Sequence, residues 1–136
     1  MWIPNKKKFR KYRKGNLVGC EYKSINLVFG TSGLKSLENG RITTKQIETA
    51  RQVIRRKIRP FGGKLWIRIF PHLSITSKPA EVRMGKGKGS INTWVAHVKR
   101  GQVLFEIAGV PSKAAKAILL GGGQKLPVLV KTILKK

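Results

Sequence analysis

The stretch Arg83-Met84-Gly85-Lys86-Gly87-Lys88-Gly89 alternates backbone freedom with fixed positive charge, a pattern suited to lying against phosphates. Glycine has no Cβ and accepts positive φ, so Gly85, Gly87 and Gly89 allow the main chain to approach a polyanion closely. Arg83, Lys86 and Lys88 bring the charge, and consecutive backbone N–H groups in such turns make anion-binding concavities. Taken alone, the stretch also fits a solvated hairpin tip, because loops collect these residue types. The rest of the chain decides between the two.

Catalysis is not expected. Nucleophilic or acid–base chemistry needs a titratable group set against a partner, and this chain has no aspartate, two distant histidines and one cysteine. Glu48 and Glu81 sit beside basic residues and read as local charge balance, Glu106 alternates on a strand, and no glutamates form an evident pair. The Gly/Lys loop matches neither the Walker A pattern nor the dinucleotide fingerprint, and Gly121-Gly122-Gly123-Gln124-Lys125 fails the same tests. His72 and His97 read as surface or strand residues, lacking acidic neighbours at ligand spacing. Cys20 alone excludes an internal disulfide and a cysteine zinc cluster, and points only weakly to a reducing compartment. No cofactor and no metal are expected. A phosphate cradle without base or metal ligand is a binding device.

Charge indicates what would be bound. Against 30 Lys and Arg stand 5 acids, all glutamates, for a net charge of +25 over 136 residues. Self-repulsion on this scale destabilises a compact state and calls for a standing anionic partner, nucleic acid first. No apolar run approaches the ~18 residues of a spanning helix, so a membrane is not expected as partner. The basic N-terminal block lacks the apolar region of a secretory signal. With 40% hydrophobic residues the chain can bury a core, and its length suits one domain with basic extensions.

Elements must position these cations. Lys6, Lys7, Lys8, Arg10, Lys11, Arg13 and Lys14 form a basic arm with Phe9 and Tyr12 interleaved. Rings among charges can pack on a core edge or stack on a base; core packing is favoured for Phe9, and Tyr12 is left open. Residues 24–29 read as a strand closed by Gly30. Thr43 with Gln46 is a capping-box signature, and Ile47, Ala50, Ile54 and Ile58 recur at helical spacing. Arg51, Arg55 and Arg59 form a separate i, i+4 row, joined by Arg56 and Lys57 near the C-terminal end. Such a face is usually just solvated, but only Glu48 is present on this helix to balance it. Pro60, Gly62 and Gly63 stop the helix.

Residues 64–70 alternate with period two and carry apolar groups on both faces, as expected of a central strand ended by Pro71. Residues 74–78 read as irregular chain leading through Pro79 to the Gly/Lys loop. Residues 93–99 and 103–108 read as a hairpin across a turn at Lys99-Arg100-Gly101-Gln102. Pro111 suits the first turn of a second helix with Ala114, Ala117 and Ile118 as its stripe. Whether that helix ends at Leu120 or continues through Gly121-Gly122-Gly123 is open, since each interior glycine costs about 1 kcal/mol. Residues 126–134 read as a last strand, with Lys135-Lys136 a solvated end.

The ordered motifs carry a resemblance over nearly the whole length. They are Pro4-Asn5-Lys6-Lys7-Lys8-Phe9-Arg10-Lys11, Gly40-Arg41-Ile42-Thr43-Thr44-Lys45-Gln46-Ile47-Glu48, Gly63-Lys64-Leu65-Trp66-Ile67-Arg68-Ile69-Phe70-Pro71, and Lys78-Pro79-Ala80-Glu81-Val82-Arg83 running on through Gly89. Val103-Leu104-Phe105-Glu106-Ile107-Ala108-Gly109-Val110 fits the strand before a second helix. Together they resemble the L-sixteen family of large-subunit ribosomal proteins, bacterial-type relatives of the archaeal and eukaryotic ten-e proteins.

That resemblance implies a single-domain α+β fold of the hammerhead type, a mixed or antiparallel sheet with two helices. Residues 1–20 would form the basic arm and residues 79–91 the loop. It implies a structural, non-enzymatic constituent of the large subunit. Its partners would be large-subunit rRNA and 5S rRNA near the central protuberance, neighbouring large-subunit proteins and A-site tRNA near the peptidyl transferase region. Arg83, Lys86 and Lys88 are carried over as loop contacts, with Met84, Gly85, Gly87 and Gly89 forming the rest of the loop. The arm is carried over as an rRNA anchor. Arg41 falls within a matched motif and Arg51, three residues past its end, is carried over with it, whereas Arg55, Arg56, Lys57 and Arg59 rest on charge alone.

The family's second helix is usually alanine-rich where this chain has Gly121-Gly122-Gly123. It commonly has Asp where His72 stands, and the C-terminal tail here is unusually rich in lysine. Absence of Asp with abundant Lys and Ile fits an AT-rich organellar genome. Met1 lies close to the family's own N-terminus, so no presequence is expected. A mitochondrial ribosome is favoured, with plastid or bacterial ones as alternatives. The rival from another class is an RNA-binding assembly or translation factor that exchanges on and off its RNA; a nucleotide-dependent enzyme ranks third because its motifs fail.

Overall fold

The Thr43 hydroxyl accepts from the Gln46 N–H at 3.3 Å while the Gln46 side chain accepts from the Thr43 N–H at 2.9 Å. This reciprocal cap satisfies donors that a helix start otherwise leaves unpaired, and it opens the longer of two helices. The computed structural model describes residues 3–135; Met1, the expected chain start, and Lys136 of the expected solvated end lie outside the described residues. In chain order the elements are β1 (Ser32–Ser36), β2 (Gly40–Thr43), α1 (Thr44–Ile58), β3 (Lys64–Ile67), β4 (Leu73–Ser77), β5 (Ser90–Val98), β6 (Val103–Ala108), α2 (Ser112–Gly123) and β7 (Val130–Leu134). A 3₁₀ turn, Arg59–Phe61, carries Pro60 and closes on Gly62 at φ 65, so α1 stops where expected.

The strands form two antiparallel sheets, one ordered β3-β6-β1-β7 and the other β2-β5-β4. With the two helices this makes an α+β fold. The expected stripe of Ile47, Ala50, Ile54 and Ile58 is buried against α2 and both sheets. Leu34 of β1, Ile42 of β2, and Leu104, Phe105 and Ile107 of β6 complete the centre, all without solvent exposure.

The 99–102 turn does not make a hairpin, because β5 pairs with β2 and β4 while β6 pairs with β1 and β3. The turn is captured by β1 instead: Gly101 N–H donates to the Ser36 carbonyl at 2.8 Å and Ser36 N–H to the Gln102 carbonyl at 2.9 Å. β3 is an edge strand, not a central one. Its second face is nonetheless covered, by Phe29 stacked on Trp66 with centroids 6.1 Å apart. Of residues 74–78, expected to be irregular, all except Lys78 belong to β4.

Residues 24–29 are not a strand. Their backbone is recruited by the fully buried carboxylate of Glu106, which accepts from the N–H groups of Val28 at 3.1 Å, Phe29 at 2.7 Å and Gly30 at 2.8 Å. The Arg68 guanidinium pairs with the same carboxylate, so this glutamate has an ion-pair partner that sequence spacing did not reveal. Burial pushes the Glu106 pKa up, but the backbone donors of Gly30 and Phe29, Arg68 and then Val28 outweigh it, and the net shift is downward.

α2 continues through Gly121-Gly122-Gly123, and its buried residues are Ala115, Ile118, Leu119, Gly122 and Gly123, whereas Ala117 faces solvent. The glycines are where the helix touches its neighbours. A Cβ on Gly122 would lie 2.4 Å from Ile54 Cγ1, and one on Gly123 2.5 Å from Val130 Cγ2. Tertiary packing thus offsets the poor helix propensity of glycine.

Gly122→Ala should destabilise by about 1–3 kcal/mol through overpacking, whereas Gly121→Ala, whose Cβ meets only the mobile end of Lys57 at 3.1 Å, should stabilise by up to ~1 kcal/mol; urea denaturation of both variants checks the sign. Glu106→Gln should lose about 3 kcal/mol by leaving Arg68 and its ring of donors mismatched. Because the folded pKa is depressed, this contribution is complete above the unfolded value of about 4.3 and disappears as pH falls through the folded one. The wild-type advantage should therefore vanish in acid denaturation curves.

Candidate nucleic-acid interface

The arm is fastened along the β2-β5-β4 sheet by backbone and cation contacts, and its residues 3–19 form no helix or strand. Lys7 turns inward: its ammonium bonds the His72 carbonyl and sits 4.9 Å from the Tyr12 ring centroid and 5.0 Å from that of Trp94. Ser74 Oγ donates to the Arg10 carbonyl at 2.5 Å. Arg41 on β2 donates to the Gly15 carbonyl at 2.6 Å and the Lys14 carbonyl at 3.3 Å, while its Nε reaches His97 Nε2 at 3.3 Å. Lys6, Lys8, Arg10, Lys11, Arg13 and Lys14 are exposed. Phe9, expected in the core, is 64% exposed and lies under the Lys8 ammonium, 5.7 Å from ring centroid to Nζ. Tyr12 is half-buried against Lys7.

The Gly/Lys loop joins β4 to β5 and so projects from the same sheet. Gly85, Lys86 and Gly87 take φ 99, 55 and 84 in succession, a left-handed run that only flanking glycines make inexpensive. At its base, Gly89 packs where a Cβ would stand 2.4 Å from the Ser77 carbonyl oxygen. Arg83, Met84, Lys86 and Lys88 are exposed. Lys88 donates to the Tyr12 carbonyl at 2.5 Å and Lys11 to the Lys88 carbonyl at 3.1 Å, so arm and loop hold each other reciprocally. Lys78 bonds the Gly85 carbonyl and so ties the start of the loop to its tip.

A second basic surface lies away from this sheet. Arg51, Arg55, Arg56 and Arg59 line an open groove of about 1130 Å³ whose other wall is Gly62, Gly63, Lys64 and β3. Arg51 is engaged with Glu48 at 2.6 Å, which raises its already high pKa. Arg55, Arg56 and Arg59 are exposed. The structure thus gathers the sequence-expected cations into an arm-and-loop set and a helix set. Sequence reasoning missed the receptors of the arm, namely His72, Ser74 and Trp94, and the turning of Arg41 onto it, because these residues are remote from the arm in sequence.

Among known proteins, the family described as ribosomal protein L16p/L10e matches residues 4–133. The large ribosomal subunit protein uL16 of Leptospira biflexa is 52% identical over 128 residues, 94% of this chain and 93% of the relative. That of Psychrobacter arcticus is 47% identical over 136 residues, covering 100% of this chain and 98% of the relative.

Arg41→Met should loosen the arm by about 1 kcal/mol, the contribution of an exposed charge-assisted bond, and speed limited tryptic cleavage after Lys14 roughly fivefold. Burial first, and then the Arg41 charge, holds the His97 pKa below its ordinary value. The neutral ring's contribution is therefore present above about pH 6.5 and declines as pH falls below it. The same cleavage in the wild type should accelerate over that window.

Proposed function

The chain belongs to the ribosomal protein L16p/L10e family, a structural and non-enzymatic family, and we propose from that premise how its cations divide the work. The arm (Lys6, Lys8, Arg10, Lys11, Arg13 and Lys14, with Lys7 as its inward pin) and the α1 face anchor the protein on large-subunit rRNA, with 5S rRNA and neighbouring large-subunit proteins close by. The loop, with Arg83 and Lys86 at its exposed face, reaches A-site tRNA near the peptidyl transferase region. In this reading residues 1–136 are one ribosomal-protein domain, residues 1–20 its anchoring arm and residues 79–91 its tRNA-facing loop. The observation that carries it is the reciprocal bonding of arm and loop, Lys11 to the Lys88 carbonyl and Lys88 to the Tyr12 carbonyl: the anchor and the reaching segment are one mechanical unit, so where the arm docks sets where the loop points. Phosphate contacts supply most of the affinity and position the protein without reading sequence. Its place is the ribosome. Lack of Asp with abundant Lys and Ile favours a mitochondrial one, while the relatives named above favour a bacterial one; cell fractionation separates the two.

Native gradient sedimentation, with magnesium removal to separate the subunits, should find the chain with the large subunit at about one copy through a high-salt wash. Appearance only in precursor particles would make it an exchanging assembly factor. Lys86→Gln should leave incorporation intact, weaken A-site tRNA binding uniformly across tRNA sequences and reduce its salt slope by about one. Joint Lys6→Gln, Lys8→Gln substitution should instead reduce incorporation. Filter binding and gradient occupancy read the two effects separately.

A further inference from the structure

We propose that the groove between α1 and the free edge of β3 is a seat for a single, unpaired RNA strand, a site distinct from the arm-and-loop surface. The inference rests on the reading of the chain as an rRNA-binding protein and adds which form of RNA this surface takes.

The edge is chemically defined by pairing. Arg68 N–H donates to the Leu104 carbonyl at 2.9 Å, and the antiparallel register sets Trp66 opposite Glu106 and Lys64 opposite Ala108. Bonded and non-bonded positions alternate along an antiparallel strand, so Lys64, Trp66 and Arg68 spend their backbone groups on β6. On β6 itself, the Ile107 carbonyl is turned the other way, to the Thr31 N–H at 3.0 Å. The N–H and C=O groups of Leu65 and Ile67 therefore face outward, and both residues line the groove. An unpaired edge is a ready template for a partner's donors and acceptors.

Opposite that edge stand Arg55, Arg56 and Arg59, with Lys64 at its end and Arg51 held by Glu48. Residues four apart on a helix are about 5–6 Å apart at Cβ, a repeat that suits successive phosphates along one strand. Guanidinium groups bind phosphate oxygens in a bidentate manner. The recessed edge then meets what phosphates do not use: its carbonyls accept from 2′-hydroxyls, and its N–H groups donate to sugar or base oxygens. A duplex presents phosphate ridges on a convex cylinder, touching the arginine row without delivering a sugar or base to the recessed edge. An acidic peptide could add as a strand, but with only two outward-facing residues the ladder is short and the arginine row dominates.

The test is amide-resolved hydrogen exchange on the full-length chain with defined probes: a short single-stranded RNA without self-complementarity, the matching DNA strand, an RNA duplex and an oligoglutamate peptide. The single-stranded RNA should slow the Leu65 and Ile67 amides by about tenfold or more, the DNA strand less and the duplex not at all. Arg55→Gln with Arg59→Gln should abolish that protection while leaving the exchange of the buried Ile54 and Ile58 amides unchanged, which shows the helix intact. Lys6→Gln with Lys8→Gln should preserve it. Protection by the duplex equal to that by the single strand, or protection by the peptide alone, overturns the proposal. RNA binding that leaves both amides unprotected removes the groove and spares the wider function; no RNA binding by any probe removes both.

Discussion

The buried carboxylate of Glu106 is the interaction on which the rest of the architecture depends. It sits in β6, between β3 and β1, and its oxygens gather three backbone donors and a guanidinium. An ionised group without solvent exposure is tolerable only with such complete satisfaction. The cost of leaving any of those donors unmatched fixes the path of residues 28–30, and Arg68 in turn lies 5.6 Å from the Phe29 ring centroid. One side chain thereby determines that the segment before β1 crosses the sheet as irregular chain and does not add to it as a strand.

From this follows the division of the molecule into two basic surfaces. β5 and β6 are successive in sequence but belong to different sheets, and the turn between them is locked to β1. One sheet receives the arm and projects the loop; the edge of the other borders the arginine row of α1. Had β5 and β6 paired as a hairpin, β2 and β4 would have lost the strand they share. The platform that holds the arm through Arg41, Ser74 and Trp94 would then not exist.

Legibility tracked how much of an element's reason for being is local. α1 was readable in full because its cap, its stripe and its stop are all encoded within its own turns. β5, β6 and β7 announced themselves by apolar content. β1 and β2 did not: Ser32-Gly33-Leu34-Lys35-Ser36 and Gly40-Arg41-Ile42-Thr43 each offer a single large apolar residue, yet Leu34 and Ile42 are wholly buried. Their pairing partners, not their propensities, make them strands. The glycines of α2 left the end of the helix open because the contact that rewards them, with Ile54 and Val130, comes from other elements. At the candidate interface the cations were evident from composition, but their direction was not. Lys7 and Arg41 read as two more basic residues, and only the fold turns their charge onto the protein's own rings and carbonyls.

The few acids explain why so much positive charge remains outward. Glu106 is spent on the core and Glu48 on Arg51. Glu21 accepts from the N–H groups of Lys23 and Ser24, the first of which leads in lowering its pKa. These carboxylates serve the chain's own backbone and helix, so they are not available to neutralise the arm or the loop. With a net charge of +25, that neutralisation has to come from a polyanion outside the chain. Binding only the folded state, such a partner adds its affinity to the folding free energy. The arm and the loop, which bury least and repel most, gain most from it. The order of these segments is therefore coupled to that partner, whereas the core is closed around Glu106 by contacts within the chain.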